Sequence, residues 1–175
     1  INLGAEIVIS NTFSTNKHAL SDADQGHNFE VLNEHAVKLA VEAREHLNKD
    51  NVLVAGGISY WIWTDNKPSL GELNSSIAQQ AKIMADSGAD LIMLEMMKDI
   101  EQMMTTLKAA QTSELPIWVG LSCEPNKSNK MCLLDGDSLE DTIQELKSYN
   151  PDVINIMHTE VEYVDQCLDI LQNEW

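Results

Sequence analysis

Leu91-Ile92-Met93-Leu94 is a run of four large apolar residues with no polar residue between them, and an acidic Glu95 follows at once. A strand wetted on one face alternates polar and apolar residues, so a run without alternation fits a parallel strand covered on both faces. The small, acidic turn Gly88-Ala89-Asp90 leads into it. The same order recurs near the start of the chain, where Gly4-Ala5-Glu6 leads into Ile7-Val8-Ile9 and then into Ser10-Asn11-Thr12-Phe13. Such recurrence indicates stacked strand–helix units.

The rest of the sequence fits this grammar. Strands are predicted at 7–9, 52–55, 91–94, 116–121 and 153–157, each followed by a segment of helical periodicity. In the helix over 30–47, Leu32, Ala36, Leu39, Ala40, Ala43 and Leu47 form the predicted inner stripe. Leu73, Ile77, Ala81 and Met84 do so in the helix over 70–87, with Gly88 as its stop. Asp99 with Gln102, Ser138, and Thr159 with Glu162 mark helix starts. The last helix is expected to turn Val161, Val164, Leu168 and Leu171 inward. Residues 14–29 read as a long polar loop with room for a short helix above the end of the first strand, and 124–137 as a polar loop with a turn at Leu134-Asp135-Gly136-Asp137. Met103 and Met104 read as core filler. Tyr60-Trp61-Ile62-Trp63 places three aromatics outside any periodic element, and both packing and substrate contact remain open for it.

Strict alternation means a parallel sheet with right-handed crossovers. Two architectures compete: an incomplete (β/α)₈ TIM barrel and an open doubly wound sheet. A whole barrel takes about 250 residues, more than the 175 here. The absence of a glycine-rich phosphate loop weakens the open-sheet nucleotide binder. In either architecture ligands bind at the carboxyl ends of the strands. That rule selects Asn11, Gly56, Gly57, Glu95 and Ser122 as candidate substrate contacts, with Glu95 the foremost; Gly56 and Gly57 would let backbone amides approach a ligand.

Composition narrows the partners. A formal charge of −17 sets the chain against phosphate backbones and anionic lipid surfaces, so neither nucleic acid nor a membrane is expected. No apolar run approaches the roughly 20 residues of a membrane span, and no basic-plus-apolar leader is evident. Cys123, Cys132 and Cys167 have no paired spacing and read as free thiols of a reducing, cytoplasmic compartment.

Taken together, Gly4-Ala5-Glu6-Ile7-Val8-Ile9-Ser10-Asn11-Thr12-Phe13, Val54-Ala55-Gly56-Gly57-Ile58-Ser59, Gly88 to Glu95 and Leu134-Asp135-Gly136-Asp137-Ser138-Leu139 resemble, in order and spacing, the homocysteine S-methyltransferase family. That family includes the betaine-dependent enzyme and the homocysteine domain of methionine synthase. The resemblance implies a TIM barrel that transfers a methyl group from a small donor to homocysteine, whose thiol zinc activates, in methionine biosynthesis. It covers barrel strands two to six, so residues 1–175 are expected to form a single domain, a piece of that barrel lacking its first and last units. It also implies that Glu95 holds the amino group of homocysteine. His158 aligns with the family's first zinc-binding cysteine, and the adjacent cysteine pair that completes the zinc site has no counterpart here. No stoichiometric zinc, and no activity of the chain by itself, is therefore expected.

Two other readings stay open beside the resemblance. One is a different small-molecule barrel enzyme using Glu95 and His158 in acid–base chemistry. The other is a non-catalytic binding protein, a homo-oligomer joined through the strand edges that five units leave unpaired.

Overall fold

The computed structural model of the chain describes residues 1–64 and 66–175. Five strands, β1 (Ile7–Ile9), β2 (Leu53–Ile58), β3 (Leu91–Met97), β4 (Ile117–Leu121) and β7 (Val153–Ile156), form one parallel sheet in the order in which they occur in the chain. Between them run α1 (Lys17–Asp22), α2 (Phe29–His46), α3 (Leu70–Asp86), α4 (Ile100–Ala110) and α5 (Leu139–Lys147), and α6 (Val161–Glu174) ends the chain. A doubly wound sheet reverses its strand order at a switch point, whereas a barrel adds strands sequentially. This sheet is sequential, and it curls. Phe13, just past one edge strand, stacks on His158, just past the other, with ring centroids 5.8 Å apart. The fold is an incomplete TIM-barrel-like α/β half-barrel.

Strand alternation gives the sheet two unlike faces. Val54, Ile92, Leu94, Val119 and Leu121 point outward into a sealed core completed by Leu73, Ile77 and Met84 of α3, Met103 and Leu107 of α4, and Ile143 and Leu146 of α5. The barrel-facing side carries a smaller cluster, Ala55, Leu91 and Met93, flanked by Ile7, Trp118 and Met157. The acid that precedes a strand has a structural use. The Asp90 carboxylate accepts the Val54 amide of the neighbouring strand (2.7 Å) and the Arg44 guanidinium (2.5 Å), and Asp152 accepts the Ile117 amide (2.8 Å). These two carboxylates each satisfy an amide at the start of the adjacent strand and so hold register at the amino end of the sheet; Glu6, before β1, does so only through its backbone carbonyl, which accepts the Leu53 amide.

Several expectations are corrected. Residues 124–137 are not all loop: β5 (Cys123–Pro125) and β6 (Met131–Leu133) pair as an antiparallel hairpin, because Met131, Cys132 and Leu133 are apolar and bury themselves. The Gly pair lies inside β2 and not beyond it. In α2 the inner face is Phe29, Asn33 and Val37, leaving Leu32 and Leu39 exposed. Asn33 turns inward because its amide donates to the Thr15 and Phe29 carbonyls and its oxygen accepts from Thr15 and Gln80, which satisfies a buried polar group. In α6 the inner residues are Cys167 and Leu171, while Val161 and Leu168 are exposed. Thr159 does not cap this helix. Its hydroxyl donates to the Met157 carbonyl and accepts the Cys123 amide, tying the end of β7 to β5. The caps at Asp99 and Ser138 form as expected, accepting the Gln102 and Asp141 amides.

Candidate functional site

Asn11, Glu95, Ser122 and His158 all lie at or just past the carboxyl ends of parallel strands, and so at one end of the half-barrel. The loop after β1 is latched there by hydroxyls. The Thr12 hydroxyl donates to the Gly57 carbonyl (2.6 Å) and lies 2.8 Å from that of Ser10, which accepts the Gly57 amide (3.3 Å). Ser10 and Thr12 are buried by this duty and Asn11 between them is exposed.

Glu95 is aimed by a local irregularity. Register between β3 and β4 shifts between Leu94 and Met97, and Met96 adopts a left-handed φ of 57°. Its amide, freed from the ladder, donates to the Met157 thioether (3.2 Å). A bulge of this kind re-aims a side chain. Here it lays the half-buried Glu95 carboxylate over Gly57, where a Cβ would overlap it. Gly57 is thus a cradle for Glu95. Gly56 faces the other way: a Cβ there would meet Met84 Sδ at 2.7 Å in the helix-side core. Burial raises the Glu95 pKa and is the sole cause of the rise, and no ion pair includes this carboxylate among the described residues. A half-buried carboxylate is costly to ionise without a cation beside it.

Ser122 is fully buried, and its hydroxyl finds no partner among the described residues. His158 is exposed, at a left-handed φ of 46°, with its ring on Phe13. Phe13 in turn meets Trp61 at 5.9 Å, and Trp61 meets Trp63 at 4.4 Å. Tyr60 belongs to the scaffold; it is buried and its hydroxyl accepts the Lys98 and Asp99 amides. Sequence reasoning left the Trp61–Trp63 loop undecided and assigned nothing to Phe13 or Met157. Phe13 was visible as the last residue of the Ser10–Phe13 motif; nothing in sequence marked Met157.

A catalytic zinc needs at least three protein donors. Among the described residues no group of three or more His, Cys, Asp or Glu side chains could hold a metal. All three thiols are buried, and Cys123 and Cys167 pack in the helix-side core, where burial pushes both thiols up and disfavours the thiolate that zinc requires. The described residues do not fit a zinc site.

A family model for homocysteine S-methyltransferase matches residues 1–175. The chain belongs to this family. No curated protein matches it significantly. Among solved structures, the homocysteine methyltransferase MmuM from Escherichia coli is similar in its metallated form, at 20% identity and a TM-score of 0.83 over 99% of this chain and 65% of that one. Its oxidized form gives 20% and 0.82, and its apo form 19% and 0.76, each over 99% of this chain and 64% of that one. At such identity the likeness supports the fold. The chain spans just under two thirds of the length of these structures. No helix among the described residues is long and apolar enough to cross a membrane.

Proposed function

We propose that this chain forms the homocysteine-binding wall of a homocysteine S-methyltransferase that works in methionine biosynthesis in the cytoplasm, with Glu95 receiving the substrate's α-amino group. The observation behind this reading is the unpaired Glu95 carboxylate, cradled on Gly57 at the ligand end of the half-barrel. An ammonium bound there supplies the missing cation. Pairing it fixes one end of a short amino acid, and the thiol at the other end is then oriented for attack on a methyl donor. Asn11, exposed after β1, and the hydroxyl of buried Ser122, just past β4 and unpartnered among the described residues, are the further candidate substrate contacts, Gly56 acting only through its backbone. His158 is a single donor, and zinc, if the enzyme uses it, must take its other ligands from outside the described residues. The unpaired edges of β1 and β7 suit association with further chain, a second copy included.

Calorimetric titration tests the assignment. L-Homocysteine is expected to bind, and either Glu95→Gln or removal of the ligand's amino group (4-mercaptobutanoate) should weaken binding about 10- to 100-fold, the range of a charge-assisted hydrogen bond. The two losses together should not add. Unchanged homocysteine affinity in Glu95→Gln would remove the assignment. Acid–base chemistry by Glu95 and His158 is not favoured, since His158 is engaged with Phe13 at the rim.

A further inference from the structure

Two of the three thiols meet in the helix-side core, and the substrate-binding reading uses neither. Cys123 opens β5 and Cys167 lies in the middle of α6. Both are buried, and their side chains lie close enough for the Cys123 thiol to donate to the Cys167 sulfur. Cys132 belongs to the same hairpin but not to the pair. In the hairpin Cys123 is opposite Leu133, and Cys132 is opposite Glu124. Successive residues of a strand point to opposite faces, so Cys123 joins Met131, Leu133 and Cys167 in the core while Cys132 faces away. There its sulfur accepts the Asn126 side-chain amide at 3.5 Å. The pair also sits beside two strand ends of the site. Ser122 immediately precedes Cys123, and the hydroxyl of Thr159, next to His158, accepts the Cys123 amide (2.9 Å).

We propose that Cys123 and Cys167 are an oxidation site, a dithiol that hydrogen peroxide closes into a disulfide between β5 and α6. A thiol sealed in the core does not attack an oxidant, because burial disfavours its thiolate. The helix supplies the access. Of the 14 residues of α6 only Cys167 and Leu171 are buried, while Val161 is 86% and Leu168 40% exposed. An element held by so few apolar contacts opens locally at low cost. When α6 lifts, Cys167 leaves the core and its thiolate takes an oxygen from peroxide, giving the sulfenic acid and hydroxide, which a proton converts to water. On redocking, the Cys123 sulfur attacks the Cys167 sulfur. The S–S bond forms as the S–O bond breaks, and the oxygen leaves as a second water with the Cys123 proton. Two thiols are thus oxidised and one peroxide is reduced. The crosslink spans β6, α5 and β7, which restricts the unfolded chain and braces the strand ends at Ser122 and His158.

Peptide mapping of the peroxide-treated protein tests the pair. The reduced chain has three free thiols. After treatment, denaturation and alkylation, Cys132 should be the one thiol left to alkylate, the mass should fall by two hydrogens, and a peptide linking Cys123 to Cys167 should appear. Dithiothreitol should restore all three thiols. The linked chain should unfold at a temperature higher by roughly 5–15 °C. Urea below the unfolding transition should speed the reaction, since it favours the lifted helix. Cys132→Ala should form the link as the wild type does, and Cys167→Ala should form none. The map of the wild-type protein decides by itself if Cys167→Ala fails to fold. A Cys123–Cys132 link, disulfides between chains alone, sulfinic acid without a link, or three thiols that survive until global unfolding would overturn the proposal. So would a linked chain that unfolds at the same or a lower temperature, because a pair poised in the native core closes without distorting it.

Discussion

The two faces of the sheet are built from alternate residues of the same strands and have opposite fates. On the helix side, Ile92, Leu94, Val119 and Leu121 are sealed under the helices. On the barrel side, the partly buried Ile7, Trp118 and Met157 flank a cluster of only Ala55, Leu91 and Met93, and Ile9 is 43% exposed. Stability therefore rests on one face, while the other is free to hold Glu95. A change on the helix side should be felt by the fold, and one on the barrel side by ligands.

The largest expected effect lies on the sealed side. Leu94→Ala removes a fully buried side chain from the helix-side core and should lower unfolding free energy by about 2–5 kcal/mol. Ile9→Ala, on the open side, should cost less than about 1 kcal/mol because much of that side chain is already wet. Urea unfolding of the two variants measures both. Equal losses would mean that the barrel side is covered in solution.

The adjacent glycines of β2 divide the faces at single-residue resolution. Gly56→Ala pushes a methyl against Met84, whose Cβ stands 3.0 Å from it, and Ile92 at 3.2 Å, so overpacking should destabilise by about 1–3 kcal/mol and leave homocysteine affinity per folded molecule unchanged. Gly57→Ala meets the Glu95 carboxylate, which can swing aside, and the Ile9 Cγ2 at 3.0 Å, on a side chain that is 43% exposed and has room to give. Stability should fall little, and homocysteine affinity about tenfold. The reverse pattern in paired calorimetry and urea unfolding would show that Gly57, not Gly56, belongs to the core.

Much of the sheet was legible because its physics is local. The unbroken run at 91–94 needs cover on both faces, and Asp99 and Ser138 cap helices through bonds three residues long. The hairpin of β5 and β6 escaped because its apolar triplet sits inside a polar stretch rich in Asn and Lys, and only the neighbouring α5 and α6 show that the triplet is buried. The faces of α2 and α6 were misassigned for a related reason. Periodicity finds a stripe, but Asn33 is drawn inward by Thr15 and Gln80, partners 18 and 47 residues away. In the site, Glu95 was readable from its place after the apolar run. The bulge that aims it was not, nor was the contact of Phe13 with His158, since both depend on how strongly the sheet curls.

The smallest effect concerns the charge on Glu95 and separates the faces by pH. Burial raises this carboxyl above its ordinary value of 4.5, so the folded chain holds the proton more tightly than the unfolded chain does. The resulting contribution to stability is fully present below the unfolded pKa and is lost as pH rises through the raised folded pKa, leaving an uncompensated half-buried charge at neutral pH. A glutamine at this position carries no such charge. Glu95→Gln should therefore unfold at slightly higher urea than the wild type at pH 7, and the two should converge below about pH 4, where the glutamate is protonated. Adding L-homocysteine at pH 7 should reverse the order. The bound ammonium stabilises the wild-type carboxylate and gives the glutamine variant little, so the wild type gains stability by mass action and the variant does not. A variant less stable than the wild type at every pH, with no change on adding ligand, would place Glu95 with the structural residues of the sealed face and leave the open face without its cation receptor.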